Sequence, residues 1–505
     1  MERFLPANKD KEQARVLQYF IDPQNPNMQY KQFARNLTSM FLGANPSAEQ
    51  QKIARQLMGI FDEVKDARQF NETYIGHMLS EASIPGMWGY MLATRLGSNT
   101  VAREVSELES RLEPEAIRGL MKMVGYDQNE ASGTFTSGGS IAVFTAIDVA
   151  VKRIKRQFDE AEKQIDKPLV ILYNKFAHYS FHKAVDALGG PARMIEKMEV
   201  ESPGFRMNPR DLEKKIEQSL KEGKIVAAVF AIAGETETGI VDDLTQISKI
   251  SKKHGIFTIA DGAYGAPYRL SRKSSLFKSL NEYDAITIDG HKALYTPYSN
   301  GAVLFKDKHN HVLLNLGVKA PYVKFEEKEE AILRNLSYKN LGFSLGEKRF
   351  EGSGGAGSIL STVAVLRTLG LEGLTTVYDI TLDRIEYLND RLNRSKILMP
   401  IHEPDVNLQC FRIRPDVEHL FGVNDNSRRS DIVEKSRIDD VDKGLRGKGG
   451  FFFSSTDFDL PNYYGKIEQT AVWRACLMNP RTSNKILDQA VAELESSVLK
   501  RLGSK

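Results

Sequence analysis

Four short polar strings in this chain have residue types that could hold and activate a small ligand. They are Thr136-Ser137-Gly138-Gly139-Ser140, Ala177-His178-Tyr179-Ser180, Ala260-Asp261-Gly262-Ala263-Tyr264-Gly265 and Asp289-Gly290-His291-Lys292. Each stands at the end of a predicted strand or at the start of a predicted helix. Because ligands of open α/β sheets bind where the strands end, the four strings are predicted to contribute to one site.

The glycine-rich string comes directly before a predicted helix. Gly139 would let the backbone approach an anion closely, and the helix N-terminus with the Ser140 hydroxyl would offer donors to a phosphate. An ordinary helix start with Ser as the N-cap has the same sequence. Taken alone, the string leaves both interpretations open.

The other three strings carry groups that could act on a flat heterocycle. His178 could stack on a ring or transfer a proton, although a single His is more often structural. Asp261 could pair with a cationic ring nitrogen beside the small Ala263, or it could cap the following turn. Lys292, beside His291, is a candidate Schiff-base amine, because burial favours the neutral nucleophilic form. Most of the 69 basic residues in this chain are expected to be simply solvated.

Together the four strings match what pyridoxal 5′-phosphate requires. The Lys would hold the aldehyde carbon as an imine, the Asp would keep the pyridine nitrogen protonated, and the cradle would anchor the phosphate. Residues 352–357 also match the dinucleotide fingerprint letter for letter, but a charged stretch rather than a buried strand precedes them. A Rossmann cofactor site is therefore not predicted there.

The elements that must position these strings alternate along the chain. Strands are predicted at residues 169–173, 225–233, 256–260, 285–288 and 302–305, and helices at residues 140–158, 180–188 and 244–254. Short apolar strands that alternate with helices predict an α/β fold with a mainly parallel sheet covered on both faces. Residues 104–124 are predicted to form two helices, with Pro114 in the first turn of the second.

The remainder of the chain is predicted to flank this sheet. A helix is expected at residues 358–369, strands at residues 407–413 and 451–454, and an exposed excursion at residues 416–450. The predicted division is an N-terminal helical segment at residues 1–95, a large cofactor domain at residues 96–370 and a small α+β domain at residues 371–505.

Composition argues against several classes of protein. The 505 residues include 69 Lys and Arg and 66 Asp and Glu, so nothing favours a nucleic-acid or membrane-surface partner. The two cysteines, Cys410 and Cys476, are too few for a disulfide framework and suit a reducing cytoplasm. The N-terminus lacks the apolar core of a signal peptide. The longest apolar run, residues 225–233, is far shorter than the roughly 20 residues of a spanning helix.

Further strings match a known family in order and spacing: Gly76-His77-Met78, residues 234–242, Phe350-Glu351-Gly352-Ser353 and Arg474 followed by Asn479-Pro480-Arg481-Thr482. Over residues 74–482 the chain resembles the group II pyridoxal-phosphate-dependent decarboxylases, which include glutamate and aromatic amino acid decarboxylases. The resemblance implies a fold-type I, aminotransferase-like architecture with a small C-terminal α+β domain. It also implies a homodimer with active sites at the subunit interface.

The resemblance implies a role for several residues by position. Lys292 corresponds to the Schiff-base lysine, Asp261 to the partner of the pyridinium, and His178 to the residue stacked on the ring. Gly139 and Ser140 correspond to the phosphate cradle.

It implies four further assignments around the same centre. His291 would support the cradle, and Thr236 would lie beside the cofactor's phenolic oxygen. Arg474 falls where relatives place an arginine near the substrate carboxylate. Tyr338 has the spacing of a tyrosine on a mobile loop that protonates the product carbon, which would make the charged segment around it an active-site lid.

The expected activity is the decarboxylation of an L-amino acid to an amine through a Lys292 Schiff base. Two alternatives stay open from the sequence: a C–C lyase of the sphingosine-phosphate lyase type, and a non-catalytic homologue. The substrate side chain is also open, and both acidic and aromatic amino acids are compatible with the motifs.

Overall fold

The computed structural model describes residues 9–20, 35–36, 38–40, 42–43, 45–64, 70–162, 164–190, 194–315, 349–423, 425–445 and 450–503. The chain divides into two compact units. One consists of Ala82–Asp379 and Pro404–Val406, and the other of Met1–Glu81, Ile380–Glu403 and Asn407–Lys505. The three-domain division expected from the sequence stays a prediction. Among the described helices, none is both long and apolar enough to cross a membrane.

The unit built on Ala82–Asp379 contains a seven-stranded sheet. Its strands are β1 Ser132–Thr136, β2 Leu169–Asn174, β3 Ile195–Val200, β4 Ile225–Ile232, β5 Phe257–Asp261, β6 Ala285–Asp289 and β7 Gly301–Phe305. The order is β1-β7-β6-β5-β4-β2-β3. Strands β3, β2, β4, β5 and β6 are parallel, and β7 is antiparallel to β6 and β1. The predicted α/β fold class is therefore confirmed.

All five strands expected from apolar runs are present in this sheet. Every residue of β2, β5, β6 and β7 is buried, which explains why their sequences are mostly apolar rather than alternating. Thr and Asp residues in β5 and β6 are the main polar exceptions. Strands β1 and β3 were not predicted. The first is a short polar string of Ser, Gly and Thr around one Phe, and the second alternates buried and exposed residues.

The helices are, in chain order, α1 Lys9–Leu17, α2 Ala48–Val64, α3 Ile84–Leu96, α4 Glu107–Val124, α5 Gly139–Glu160, α6 Tyr179–Ala187, α7 Pro209–Lys221, α8 Leu244–Lys253, α9 Gly290–Ala293, α10 Lys308–Val312, α11 Gly357–Thr368, α12 Gly370–Asn393, α13 Pro415–Leu420, α14 Asn426–Leu445 and α15 Asn484–Gly503. Helices α5 and α6 share a buried core with the sheet, and α7 and α8 pack against β3, β4 and β5.

One predicted break in this unit is wrong. Residues 107–124 form a single helix, α4, with Pro114 inside it rather than at the start of a second helix. A proline in a helix interior removes one backbone hydrogen bond. The buried side chains that follow it, among them Ile117 and Leu120, anchor the helix in the core, so tertiary packing outweighs the local preference.

The other unit contains a four-stranded antiparallel sheet. Its strands are β8 Leu398–Pro400, β9 Leu408–Ile413, β10 Ser454–Pro461 and β11 Ile467–Cys476, in the order β10-β11-β9-β8. The strand predicted at residues 451–454 is wrong, since β10 begins only at Ser454. The excursion predicted at residues 416–450 is also wrong, because it contains α14 and most of α13. The charged residues of this segment suggested exposure to solvent, but Arg429 is buried in an ion pair with Glu418 at 3.1 Å.

Candidate active site

The four polar strings line one cleft of about 350 Å³ within the larger unit. Parallel pairing brings the ends of the strands to the same edge, since Ile232 pairs with Asp261 and Asp261 with Thr287. Helices α5 and α6 both begin at this edge. The cleft is lined by these residues that the sequence predicted: Gly139, Ser140, His178, Thr236, Asp261, Ala263, His291 and Lys292.

Lys292 lies in α9, one turn after the end of β6. Its Nζ is 2.9 Å from Oδ2 of Asp289, and about a fifth (21%) of its side chain is exposed. Burial acts to lower the pKa of Lys292, but the charge and hydrogen bond of Asp289, with the charge of Asp261, raise that pKa above its usual value. Burial thus favours the neutral amine, as expected, but the two neighbouring carboxylates outweigh it and favour the ammonium form.

Asp261 is the last residue of β5 and is almost completely buried. Its Oδ1 accepts hydrogen bonds from the backbone N–H of Ala263 at 3.2 Å and from the hydroxyl of Thr287 at 3.0 Å. The carboxylate thus caps its own turn and also faces the cleft, so the two interpretations of this residue are compatible. Thr287 was not predicted as a site residue, because it lies within a mostly apolar strand.

His178 is the N-cap of α6. Its Nδ1 accepts from the backbone N–H of Ser180 at 3.3 Å and lies 2.9 Å from the Ser180 hydroxyl oxygen. The neutral ring therefore carries its proton on Nε2. Burial lowers the pKa of His178, and the opposing charge of Asp261 does not restore it, so the ring is neutral at physiological pH.

His291 is held by the chain segment that follows Lys292. The backbone N–H of Asn300 donates to its Nδ1 at 3.1 Å, and its Nε2 lies 3.5 Å from Oδ2 of Asp289. The ring of Tyr298 stacks on it with centroids 3.7 Å apart. Burial lowers the pKa of His291 and raises that of Tyr298. Tyr298 also lines the cleft, and its place six residues after Lys292 is the only sequence signal that could have identified it.

The start of α5 forms the predicted cradle. A Cβ atom on Gly139 would lie 2.7 Å from Oδ2 of Asp289, so only glycine fits there without a shift. Ser140 is exposed on the cleft, and the backbone N–H of Ser137 donates to a carboxylate oxygen of Glu351 at 2.8 Å. As the first turn of a 22-residue helix, this segment has free N–H groups and a partial positive charge. These are donors suited to a phosphate.

Two residues that were predicted to belong to the site are not among the described residues that line the cleft. Tyr338 and the proposed lid around it are outside the described residues. Arg474 belongs to the smaller unit, where its Nη1 donates to the carbonyl oxygen of Gly76 at 3.2 Å and lies 3.4 Å from Nδ1 of His77. The fold thus joins two of the family-matching strings, but the role of Arg474 stays a prediction.

The chemistry of the cleft fits pyridoxal 5′-phosphate. It offers an amine for the aldehyde, a buried carboxylate for the ring nitrogen, an imidazole for the ring face and a helix N-terminus for the phosphate. On a mainly parallel sheet with a separate α+β unit, this set defines a pyridoxal-phosphate-dependent enzyme of fold-type I.

Comparison with known proteins supports the same class. The pyridoxal-dependent decarboxylase conserved domain matches residues 58–414. Aspartate 1-decarboxylase of Aliivibrio fischeri is 26% identical over 450 residues, 83% of this chain and 78% of that protein. Aromatic-L-amino-acid decarboxylase of Bacillus atrophaeus is 24% identical over 439 residues, 85% of this chain and 82% of that protein. The crystal structure of mouse CSAD has a TM-score of 0.73 at 21% identity and covers 96% of this chain and 97% of its own.

The chain therefore belongs to the pyridoxal-dependent decarboxylase family. Its cofactor is pyridoxal 5′-phosphate, and its reaction is the decarboxylation of an amino acid. The resemblance, the cofactor and the class of reaction expected from the sequence are confirmed.

Proposed function

We propose that the cleft decarboxylates an L-amino acid with Lys292 as the residue that binds the cofactor's aldehyde carbon and Asp261 as the partner of its ring nitrogen. The observation that supports this is the convergence of Lys292, Asp261 and His178 on one cleft, where each follows or ends a different parallel strand of the sheet. When bound, pyridoxal 5′-phosphate supplies an electron sink for the electron pair left by departing carbon dioxide.

The chain's own residues would supply orientation, charge and proton transfer. Two donors hold Asp261 in place, so its carboxylate would be held in position to pair with the ring nitrogen of the cofactor. His178 is neutral and would cover the ring without adding a competing cation. Lys292 must lose a proton from Nζ before it can act as a nucleophile, and Oδ2 of Asp289 is 2.9 Å away to receive it.

The remaining predicted residues complete this proposal. The backbone at Gly139 and the hydroxyl of Ser140 would bind the phosphate with support from His291, and Thr236 would lie beside the phenolic oxygen. Arg474 is proposed to bind the substrate carboxylate, and Tyr338 to protonate the product carbon.

The direct test is Lys292→Ala. The variant should lose the imine absorption in the near ultraviolet and visible range and should lose turnover. Lys252→Ala is the matched control, because it removes an exposed lysine that pairs with Glu282. An unchanged spectrum in the Lys292 variant would reject the assignment. A wild type that takes up no pyridoxal 5′-phosphate would instead support the non-catalytic homologue.

The side chain of the substrate is best approached by a panel of amino acids. Relatives named for aspartate and for aromatic amino acids match similar shares of the chain, so the panel must contain both classes. Carbon dioxide and the corresponding amine should appear together. Aldehyde formation from a phosphorylated sphingoid base, without carbon dioxide release, would favour the C–C lyase.

We also propose that the enzyme is a cytoplasmic homodimer. Helix α3 exposes Ile84, Trp88 and Leu96, whose exposed fractions of 39%, 63% and 47% suit a surface that a second copy covers. Cys410 and Cys476 are buried and do not form a disulfide, as suits a reducing compartment. Sedimentation velocity would test the dimer, and Trp88→Glu should shift it toward the monomer.

A further inference from the structure

The helix start predicted to bind phosphate already faces a buried carboxylate. Asp289 is 3% exposed, and a Cβ on Gly139 would lie within 3.1 Å of both its carboxylate oxygens and its Cγ. Its Oδ2 contacts Lys292 and His291. Its Oδ1 is buried and lacks a hydrogen-bond partner among the described residues. A negative group therefore lies against the first turn of α5, where a phosphate would have to bind.

The groups around Asp289 compensate only part of this charge. Lys292 and His291 face it from α9, and among the described residues that line the cleft Lys292 is the only Lys or Arg. His178 at the start of α6 and Tyr298 in the loop before β7 lie within its electrostatic reach. Asp261 on β5 adds a second negative charge. Residues 137–141 at the start of α5 contain no titratable side chain.

A phosphate dianion beside this carboxylate would raise the local negative charge beyond what one ammonium ion neutralises. Buried like charges of this kind favour uptake of a proton by one of them. The start of α5 can stabilise one anion well but not two at full charge.

On the basis of the cofactor site proposed above, we propose that Asp289 couples phosphate binding to the uptake of one proton. The phosphate binds at the start of α5 together with a proton that it shares with the Asp289 carboxylate. Asp289 is thus a positioning residue that sets how tightly the cofactor is retained as pH changes, and it weakens phosphate binding in alkaline solution.

The test separates phosphate binding from reaction with Lys292. Pyridoxine 5′-phosphate and pyridoxine carry no aldehyde, so the ratio of their dissociation constants, measured by calorimetry, reports the phosphate contribution alone. At pH 8 this contribution should be about tenfold larger in Asp289→Asn than in the wild type, equivalent to about 1.4 kcal/mol. Between pH 8 and pH 6 it should rise in the wild type but not in the variant.

Asp186→Asn is the matched control, because it also removes an aspartate paired with a lysine, but an exposed one. It should leave the ratio unchanged. Equal ratios in the wild type and Asp289→Asn would overturn the inference. The imine absorption tests the role of Lys292 separately, so a wild type that forms the imine while the ratios stay equal refutes only the role of Asp289.

A second measurement needs no variant and covers the case in which Asp289→Asn does not fold. Calorimetry of the wild type at pH 8, in two buffers of different ionisation enthalpy, counts the protons taken up on binding. About one proton should accompany pyridoxine 5′-phosphate and none should accompany pyridoxine. No uptake with either compound would contradict the proposal.

Discussion

Gly139→Ala is the most informative single change at this site. Alanine places a methyl group 2.7 Å from Oδ2 and 3.0 Å from Oδ1 of Asp289. Ordinary contacts of a Cβ atom begin near 3.4 Å, so the buried carboxylate must move by about 0.7 Å, the difference between 3.4 and 2.7 Å. Asp289 cannot move freely, because Lys292 binds it at 2.9 Å.

The expected cost follows from two opposing effects. Overpacking of a buried site costs about 1–3 kcal/mol, whereas replacing glycine by alanine in a helix stabilises it by about 0.5–1 kcal/mol. The net loss of folding free energy is therefore about 0–2.5 kcal/mol. The effect on cofactor binding should be larger than this net value suggests, because the methyl group enters the cradle itself. Affinity for pyridoxal 5′-phosphate should fall by about tenfold or more.

The assay compares unfolding in urea with cofactor titration by absorbance. Gly59→Ala in α2 is the matched control, since its Cβ would meet no atom within 4 Å. It should stabilise its helix slightly and leave cofactor affinity unchanged. Asp289→Ala removes the three atoms that clash, so the double variant should recover about 1–3 kcal/mol relative to additive effects. A Gly139→Ala protein as stable as Gly59→Ala, with normal affinity, would refute the packing argument.

Two further predictions concern buried aspartates. Thr287→Val removes a donor to Asp261 and should lower kcat about tenfold at saturating cofactor, since hydrogen bonds to charged groups are worth about 1.5–3 kcal/mol. Thr258→Val, which breaks a similar Thr–Asp bond outside the cleft, should leave kcat unchanged, and equal losses in both variants would contradict a specific role for Thr287. Burial raises the pKa of Asp242 to about 6, although hydrogen bonds from backbone and side-chain donors act to lower it. This folded-state pKa lies above the ordinary value, so the stability due to Asp242 is complete below about pH 4 and decreases by up to about 3 kcal/mol as pH rises through 6. The difference in unfolding free energy between the wild type and Asp242→Asn should change over that window. Asp243→Asn removes an exposed carboxylate but keeps an oxygen that can cap the helix, so it should follow the wild type.

Much of the fold could be predicted because its strands are chemically distinctive. Strands buried on both faces are mostly apolar, so β2, β4, β5, β6 and β7 were recognisable as apolar runs, whereas the equally buried but polar β1 was not. Segments that depend on distant partners were not recognisable. Pro114 is tolerated inside α4, and the charged residues of α14 form a helix, because other parts of the chain pack against them or pair with them.

The candidate site likewise combines features that the sequence predicts with features that depend on the fold. The sequence by itself predicted the set of candidate groups, because a lysine, an aspartate and a histidine that end or follow parallel strands of one sheet lie at the same edge. Only the tertiary structure decided how they behave. Asp289 stands only three residues before Lys292, but its approach to Gly139 joins distant parts of the chain. That approach places a negative charge at the phosphate cradle. Charge states and hydrogen bonds depend on atoms a few ångströms away, whichever part of the chain supplies them.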